Sequence, residues 1–217
     1  MSKNQRKLRK KLRRQKRKPS PARKAGPCHQ LSPMRTPKEV TQKIMDFGGQ
    51  IVSGVPRFQF NEIHPDSGAL PNQCHLNVFS RCDETGGTPV FGWSIWECEA
   101  WIEADFHSVW KEPSGRLVDL TPDEDGERKR LFLFDPARTW SQTERLCPPK
   151  RYFPKLRDLS IIRFCKLKER QSRIWSKYKA GQPVGPFDAS LIQQLEFAAQ
   201  FEIAKYLAPQ LSQLLVG

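Results

Sequence analysis

The chain has 217 residues, with 37 Lys or Arg against 23 Asp or Glu and a formal charge of +14. That length holds one substantial core with extensions, and no run is long and apolar enough to span a membrane. Residues 1–24 carry 13 Lys or Arg and no acid, so the remainder is near neutral and a uniformly basic fold is excluded.

Residues 1–18 have helix-forming composition, but like charges four apart oppose a helix without a polyanion. Lys7, Arg9, Lys10, Lys11, Arg13, Arg14, Lys16, Arg17 and Lys18 would grip nucleic acid or a ribosome with strong salt dependence and little sequence selectivity. No aromatic residue interrupts positions 1–24, so base stacking is not indicated. With only Leu8 and Leu12 as apolar residues, the start is neither a secretory signal nor an amphipathic transit helix, and a cytoplasmic location is expected. Five prolines within 19–37 then predict an extended linker. Residues 1–37 are thus read as tail and linker, 38–150 as an α+β core and 151–217 as a helical extension.

Thr36-Pro37-Lys38-Glu39 reads as a capping box opening the first helix, with Val40, Ile44, Met45 and Phe47 on one face and Gly48-Gly49 as its end. Positions 50–60 read as extended, interrupted at Gly54 and Pro56. Asn72 is positioned to cap a second helix that turns Leu76, Phe79 and Cys82 inward and closes at Thr85-Gly86-Gly87. Three antiparallel strands are expected at about 89–97, 101–111 and 116–121, and Leu131-Phe132-Leu133-Phe134 gives a fourth. Residues 157–179 carry eight basic residues around Leu159, Ile162, Cys165, Ile174 and Tyr178, and predict a basic amphipathic helix. A last helix is expected from about Ala189 to Leu207, capped by Asp188 and stopped near Pro209, with the stripe Ile192, Leu195, Ala199, Ile203 and Tyr206.

This organisation places Cys74 in the first turn of a helix, His107 on a middle strand and Asp119 on its neighbour. Free N–H groups and the helix dipole favour a thiolate at Cys74, and the same groups can receive an oxyanion. His107 and Asp119 are twelve apart across the turn at Pro113-Ser114-Gly115, so antiparallel pairing can bring them together. The three residue types suit a nucleophile, its base and the group that orients the base. Each also has a plain structural role: a small core residue, a half-buried strand histidine, a turn former. A metal is not expected, because Cys74 and His75 point about 100° apart on a helix and no pair has zinc spacing. No cofactor is indicated, and the six cysteines, with no C-x-x-C pair, read as reduced thiols.

The aromatic residues of 91–110 are read mainly as sheet packing. Alternation sends Trp93 and Ile95 to one face and Ser94 and Trp96 to the other. Some of these rings would line a cleft beside His107, and His75, Trp93, Trp96 and Trp110 are the expected wall. Glu97, Glu99, Glu103 and Asp105 would form an acidic rim preferring cationic or neutral substrates.

The fragments Cys74-His75-x-Asn77-Val78, Gly92-Trp93-x-Ile95-Trp96-Glu97, Phe106-His107-x-Val109-Trp110 and Leu117-x-Asp119-x-Thr121-Pro122 resemble the core of transglutaminase-like proteins, within the papain-like thiol group that includes the NlpC/P60 hydrolases. They are also similar to an uncharacterised family of bacterial and phage proteins. The resemblance covers about residues 70–140. It implies a Cys-bearing helix packed on an antiparallel sheet, followed by C-terminal helices. It also implies Cys74 as nucleophile, His107 as general base and Asp119 as orienting acid, with Gln73 or Asn72 as the oxyanion-hole side chain. A cysteine-dependent hydrolase or acyltransferase acting on a protein, peptide or small amide or thioester is one expectation. The other is a non-catalytic protein that uses the same fold and binds nucleic acid or a ribosome through its tail.

Overall fold

A six-stranded sheet forms the centre of residues 31–179 and 182–215, the part of the chain that the computed structural model describes. The basic residues expected to bind polyanions and the linker up to position 30 lie outside the described residues. The strands are β1 (Phe58–Glu62), β2 (Thr88–Glu97), β3 (Trp101–Lys111), β4 (Leu117–Val118), β5 (Lys129–Phe134) and β6 (Arg151–Pro154). They run in the order β1-β5-β2-β3-β4, with β6 pairing the start of β3 beyond the reach of β4. Every strand pair is antiparallel. The two edges then meet: the Asp119 N–H donates to the Glu62 carbonyl at 3.0 Å and the His64 N–H to the Asp119 carbonyl at 2.8 Å. A parallel bridge between Ile63 and Asp119 thereby nearly closes the sheet.

Register divides the side chains by face, because directly paired residues point the same way. Trp93↔Phe106, Ile95↔Ala104 and Trp93↔Leu133 put these residues on one face. They form the main core with Ile44 and Phe47 of helix α1 (Gln42–Ile51), while Leu76 and Phe79 of helix α2 (Cys74–Thr85) pack against it. The alternation in 93–96 is as the sequence predicts: Trp93 and Ile95 enter the core while Ser94 and Trp96 line a pocket. Helices α3 (Leu159–Trp175) and α4 (Pro186–Leu215) build a second core around Trp101, whose ring centroid lies 4.5 Å from that of Phe164. The architecture is therefore α+β, an antiparallel, nearly closed sheet with C-terminal helices.

Several expectations are corrected. Thr36 caps nothing: it is buried and its hydroxyl donates to the Lys129 carbonyl at 3.2 Å, while Arg35 and Glu97 exchange backbone bonds of 2.9 and 2.8 Å. Sheet-edge pairing overrides the capping box, so residues 31–36 are seated on the core instead of serving as linker. Helix α1 begins after Thr41, whose side chain accepts from the Ile44 N–H. Gly48 and Gly49 lie inside α1, and Gly48 is there for contact: a Cβ would sit 2.7 Å from the Phe58 ring and 2.9 Å from Pro56. Boundary 151 falls on β6, a strand of the central sheet. Leu159 is exposed and Ile162 only half-buried; α3 buries Ile161 and Phe164 in their place, together with the expected Cys165 and Ile174. Helix α4 continues through Pro209, and Asp188, placed in its first turn, accepts from the Tyr178 hydroxyl at 2.7 Å.

The two glycines of α1 make a paired prediction. Gly48→Ala overpacks the core and should destabilise the protein by about 1–3 kcal/mol. Gly49→Ala, with its nearest neighbour at 3.9 Å, should stabilise by about 0.5–1 kcal/mol through helix propensity. Urea midpoints read both, and equal shifts for the two variants would contradict the packing role of Gly48.

Candidate active site

Helix α2 starts at Cys74 because the chain before it is pinned. The Asn77 side chain reaches back to both backbone groups of Leu70, at 2.8 Å to the carbonyl and 3.1 Å from the N–H. Asn72 adopts a left-handed backbone (φ 59°), which asparagine tolerates well, and turns the chain into the helix. Asn72 is therefore not the cap. That position falls to Gln73, whose side chain makes no capping bond. The first bond of the helix runs from the Asn77 N–H to the Gln73 carbonyl, so the N–H groups of the first turn have no acceptor within the helix and no Gln73 side chain to satisfy them. They sit beside a cavity of about 500 Å³ lined by Asn72, Cys74 and His75, but not by Gln73.

Across that cavity, His107 and Asp119 are brought together. Their strands pair at Trp110↔Val118, and the His107 Nε2 lies 2.8 Å from the Asp119 Oδ2. The other ring nitrogen, Nδ1, is left for Cys74. Burial alone would raise the Cys74 thiol pKa, but the charge and hydrogen bond of His107, with a smaller contribution from nearby His75, outweigh it and hold the thiol well below its ordinary value. Burial likewise opposes a charged His107, yet Asp119 and Cys74 raise the imidazole well above its usual range. Asp119 is depressed although burial pushes it up, since His107, Arg130 and the Thr121 N–H all favour the carboxylate. Both shifts run in the direction that favours thiolate at Cys74 and imidazolium at His107.

Arg130 is the residue that sequence reasoning missed. It is buried, donates to Asp119 Oδ2 and to Asp123 Oδ2 (3.2 Å), and lies over the Trp96 ring at 5.2 Å. Its signal was present: Arg130 is the second residue of β5, on the Phe132 face, and a charge near the head of a buried strand needs a carboxylate partner. Gly92, directly opposite His107, has a comparable meaning. A Cβ there would meet the Leu133 carbonyl at 2.1 Å and the Phe132 ring at 2.6 Å, so its absence lets Phe132 stand edge-on to His107.

The expected wall is only partly assembled. His75 and Trp96 line the cavity. Trp93 does not: it is in the core and donates to Asp135 at 2.9 Å. Trp110 packs against Val78, Val118 and Leu120 and donates to the Gly86 carbonyl. His75 is buried, stacks on Trp140 at 4.8 Å and has its Nδ1 3.0 Å from the Ser108 hydroxyl. Its Nε2 has no hydrogen-bond partner. Of the acidic rim, Glu103 and Asp105 line the cavity and share Lys150 at 2.9 Å each, whereas Glu97 binds Lys155 and Glu99 accepts from the Ser32 N–H. Cys147 also lines the cavity, and burial together with the Cys74 charge pushes its thiol up to about 12, opposite in direction to the shift at Cys74.

Among the described residues, no group of three or more His, Cys, Asp or Glu side chains is arranged to hold a metal ion, and no helix is long and apolar enough to cross a membrane. Comparison with known protein families, with curated proteins and with solved structures finds no match.

Replacing Arg130 by Met strips Asp119 and Asp123 of a shared buried cation. Unfolding in urea should show a loss of about 3–5 kcal/mol. A loss below about 1 kcal/mol would mean that the carboxylates do not depend on it.

Proposed function

We propose that this protein is a thiol enzyme with a papain-like or transglutaminase-like core, acting on an amide or thioester through a covalent acyl-enzyme. The observation that carries this reading is the placement of Cys74. It opens an uncapped helix at a cavity, its thiol is held low by His107, and the far nitrogen of that histidine is bonded to a buried carboxylate.

The chemistry follows from those positions. The Cys74 thiolate adds its electron pair to the substrate carbonyl carbon, and the carbonyl oxygen becomes an oxyanion. First-turn N–H groups of α2 are suited to receive that charge. His75 Nε2 is a further donor in the tautomer whose Nδ1 accepts a hydrogen bond from the Ser108 hydroxyl. When the tetrahedral species collapses, the bond to the leaving amine or thiol breaks and that group takes the proton from imidazolium His107. Water or an amine then attacks the thioester, giving its proton back to His107, and Cys74 leaves as thiolate. Asp119 keeps His107 oriented and favours its charged form, while Arg130 keeps Asp119 ionised and fixed.

The test is an acyl-enzyme. With p-nitrophenyl acetate, the full-length protein should release a burst of nitrophenolate and carry one acetyl group on Cys74 in an acid-quenched mass spectrum. Cys74→Ala should lose both. Asp119→Asn should slow the burst by about 100-fold or more. An equal burst from Cys74→Ala, or an acetyl group elsewhere, would remove the proposal.

A further inference from the structure

The cavity carries more negative charge than the catalytic groups need. Its lining holds five carboxylates, on Glu103, Asp105, Asp123, Glu124 and Asp125, against two cations, Arg130 and Lys150. Arg130 and Lys150 are already committed, the first to Asp119 and Asp123 and the second to Glu103 and Asp105. Glu124 and Asp125 are exposed at the mouth and have no ion-pair partner among the described residues. Their position is fixed, because Asp123 accepts from the N–H groups of Asp125 and Glu127 with one oxygen and from Arg130 with the other. The same arginine that holds Asp119 thus fastens the acidic turn to the reaction centre.

Deeper in the cavity is an independent sign of a ligand. Ser94 is 2 % exposed, lines the cavity and has no hydrogen-bond partner for its hydroxyl. It lies directly opposite Asp105 and two residues along β2 from Gly92, the partner of His107. The hydroxyl therefore sits between the reacting histidine and the Glu103, Asp105 and Lys150 cluster. Thr121, 4 % exposed, leaves a second hydroxyl without a partner on the Asp119 side. Two buried hydroxyls without partners cost free energy unless a ligand group meets them.

We infer that this cavity selects acyl substrates bearing a protonated amine or guanidinium next to the scissile carbonyl, as in a Lys- or Arg-containing peptide. The cation is drawn in by Glu124 and Asp125, and Ser94 accepts a hydrogen bond from the bound segment. The cavity volume of about 500 Å³ suits a side chain with its flanking peptide groups. This rests on the thiol reading of Cys74, and the two stand or fall on different outcomes.

The experiment uses full-length protein and three peptidyl vinyl sulfones that differ only in the residue beside the electrophile: Lys, norleucine or Glu. Thiolate addition to the vinyl carbon, with protonation of the adjacent carbanion, reads the rate at Cys74. The order Lys, norleucine, Glu is expected, with Lys ahead of norleucine by about 5- to 10-fold at low salt and by less at about 0.5 M. Glu124→Gln with Asp125→Asn should erase that ratio while leaving the norleucine rate unchanged. Equal rates in the parent protein, or a preference untouched by the double variant, would overturn the substrate inference alone. Fluorescence anisotropy of the matching fluorescein-labelled peptide amides on Cys74→Ala reads the subsite without chemistry. Tighter binding of the Lys peptide, lost in the double variant, supports the subsite even if no vinyl sulfone labels Cys74. Equal binding of all three overturns it.

Discussion

One buried carboxylate organises this molecule. Asp119 is fully buried, and a carboxylate in that setting must be met by charge and hydrogen bonds or give up its ionisation. Here it is met on every side. Arg130 and His107 reach Oδ2, the Thr121 N–H reaches Oδ1, and the residue's own backbone joins the two edges of the sheet. The group that orients the histidine is thus also the stitch that closes the fold. A change in sheet closure would displace His107, and a change at His107 would leave a charge stranded at the seam.

From that seam the electrostatics run outward in alternating sign. Asp119 stabilises imidazolium at His107, and imidazolium stabilises thiolate at Cys74. Arg130 balances Asp119 and passes the remaining attraction to Asp123, which shapes the acidic turn at the cavity mouth. The burial that makes each charge costly when alone is what makes the coupling between them strong. Helix α2 adds a neutral contribution. Its first turn is left uncapped, and unsatisfied N–H groups at a cavity are a liability for stability but an asset for receiving an oxyanion.

How much of this was legible in the sequence depends on the range of the cause. Local signals read well: the Gly-flanked end of α2, the strands around the turn at 113–115, and the alternation that separates Trp93 from Trp96. The juxtaposition of His107 with Asp119 followed from a hairpin whose register is decided by neighbouring strands. Failures came where distant pairing outbid a local preference. Thr36 looks like a helix cap until Arg35 finds Glu97, and Asn72 looks like one until its backbone is needed for a left-handed turn. Arg130 and Gly92 stayed hidden because their roles belong to the sheet face opposite the main core, and register across three strands is not written in any one of them.

The central claim is that this scaffold exists to hold a thiolate beside an imidazolium. The most direct measurement is the pH titration of thiolate absorbance, taken as the difference between the full-length protein and its Cys74→Ala variant. Because the Cys74 pKa is depressed, the absorbance should already be present at neutral pH and fall away only in acid, with a midpoint below about pH 7. His107→Ala should move that midpoint up to the ordinary thiol range, about 8.5 or higher. A midpoint near 8.5 in the unmodified protein, unaffected by His107→Ala, would contradict the account.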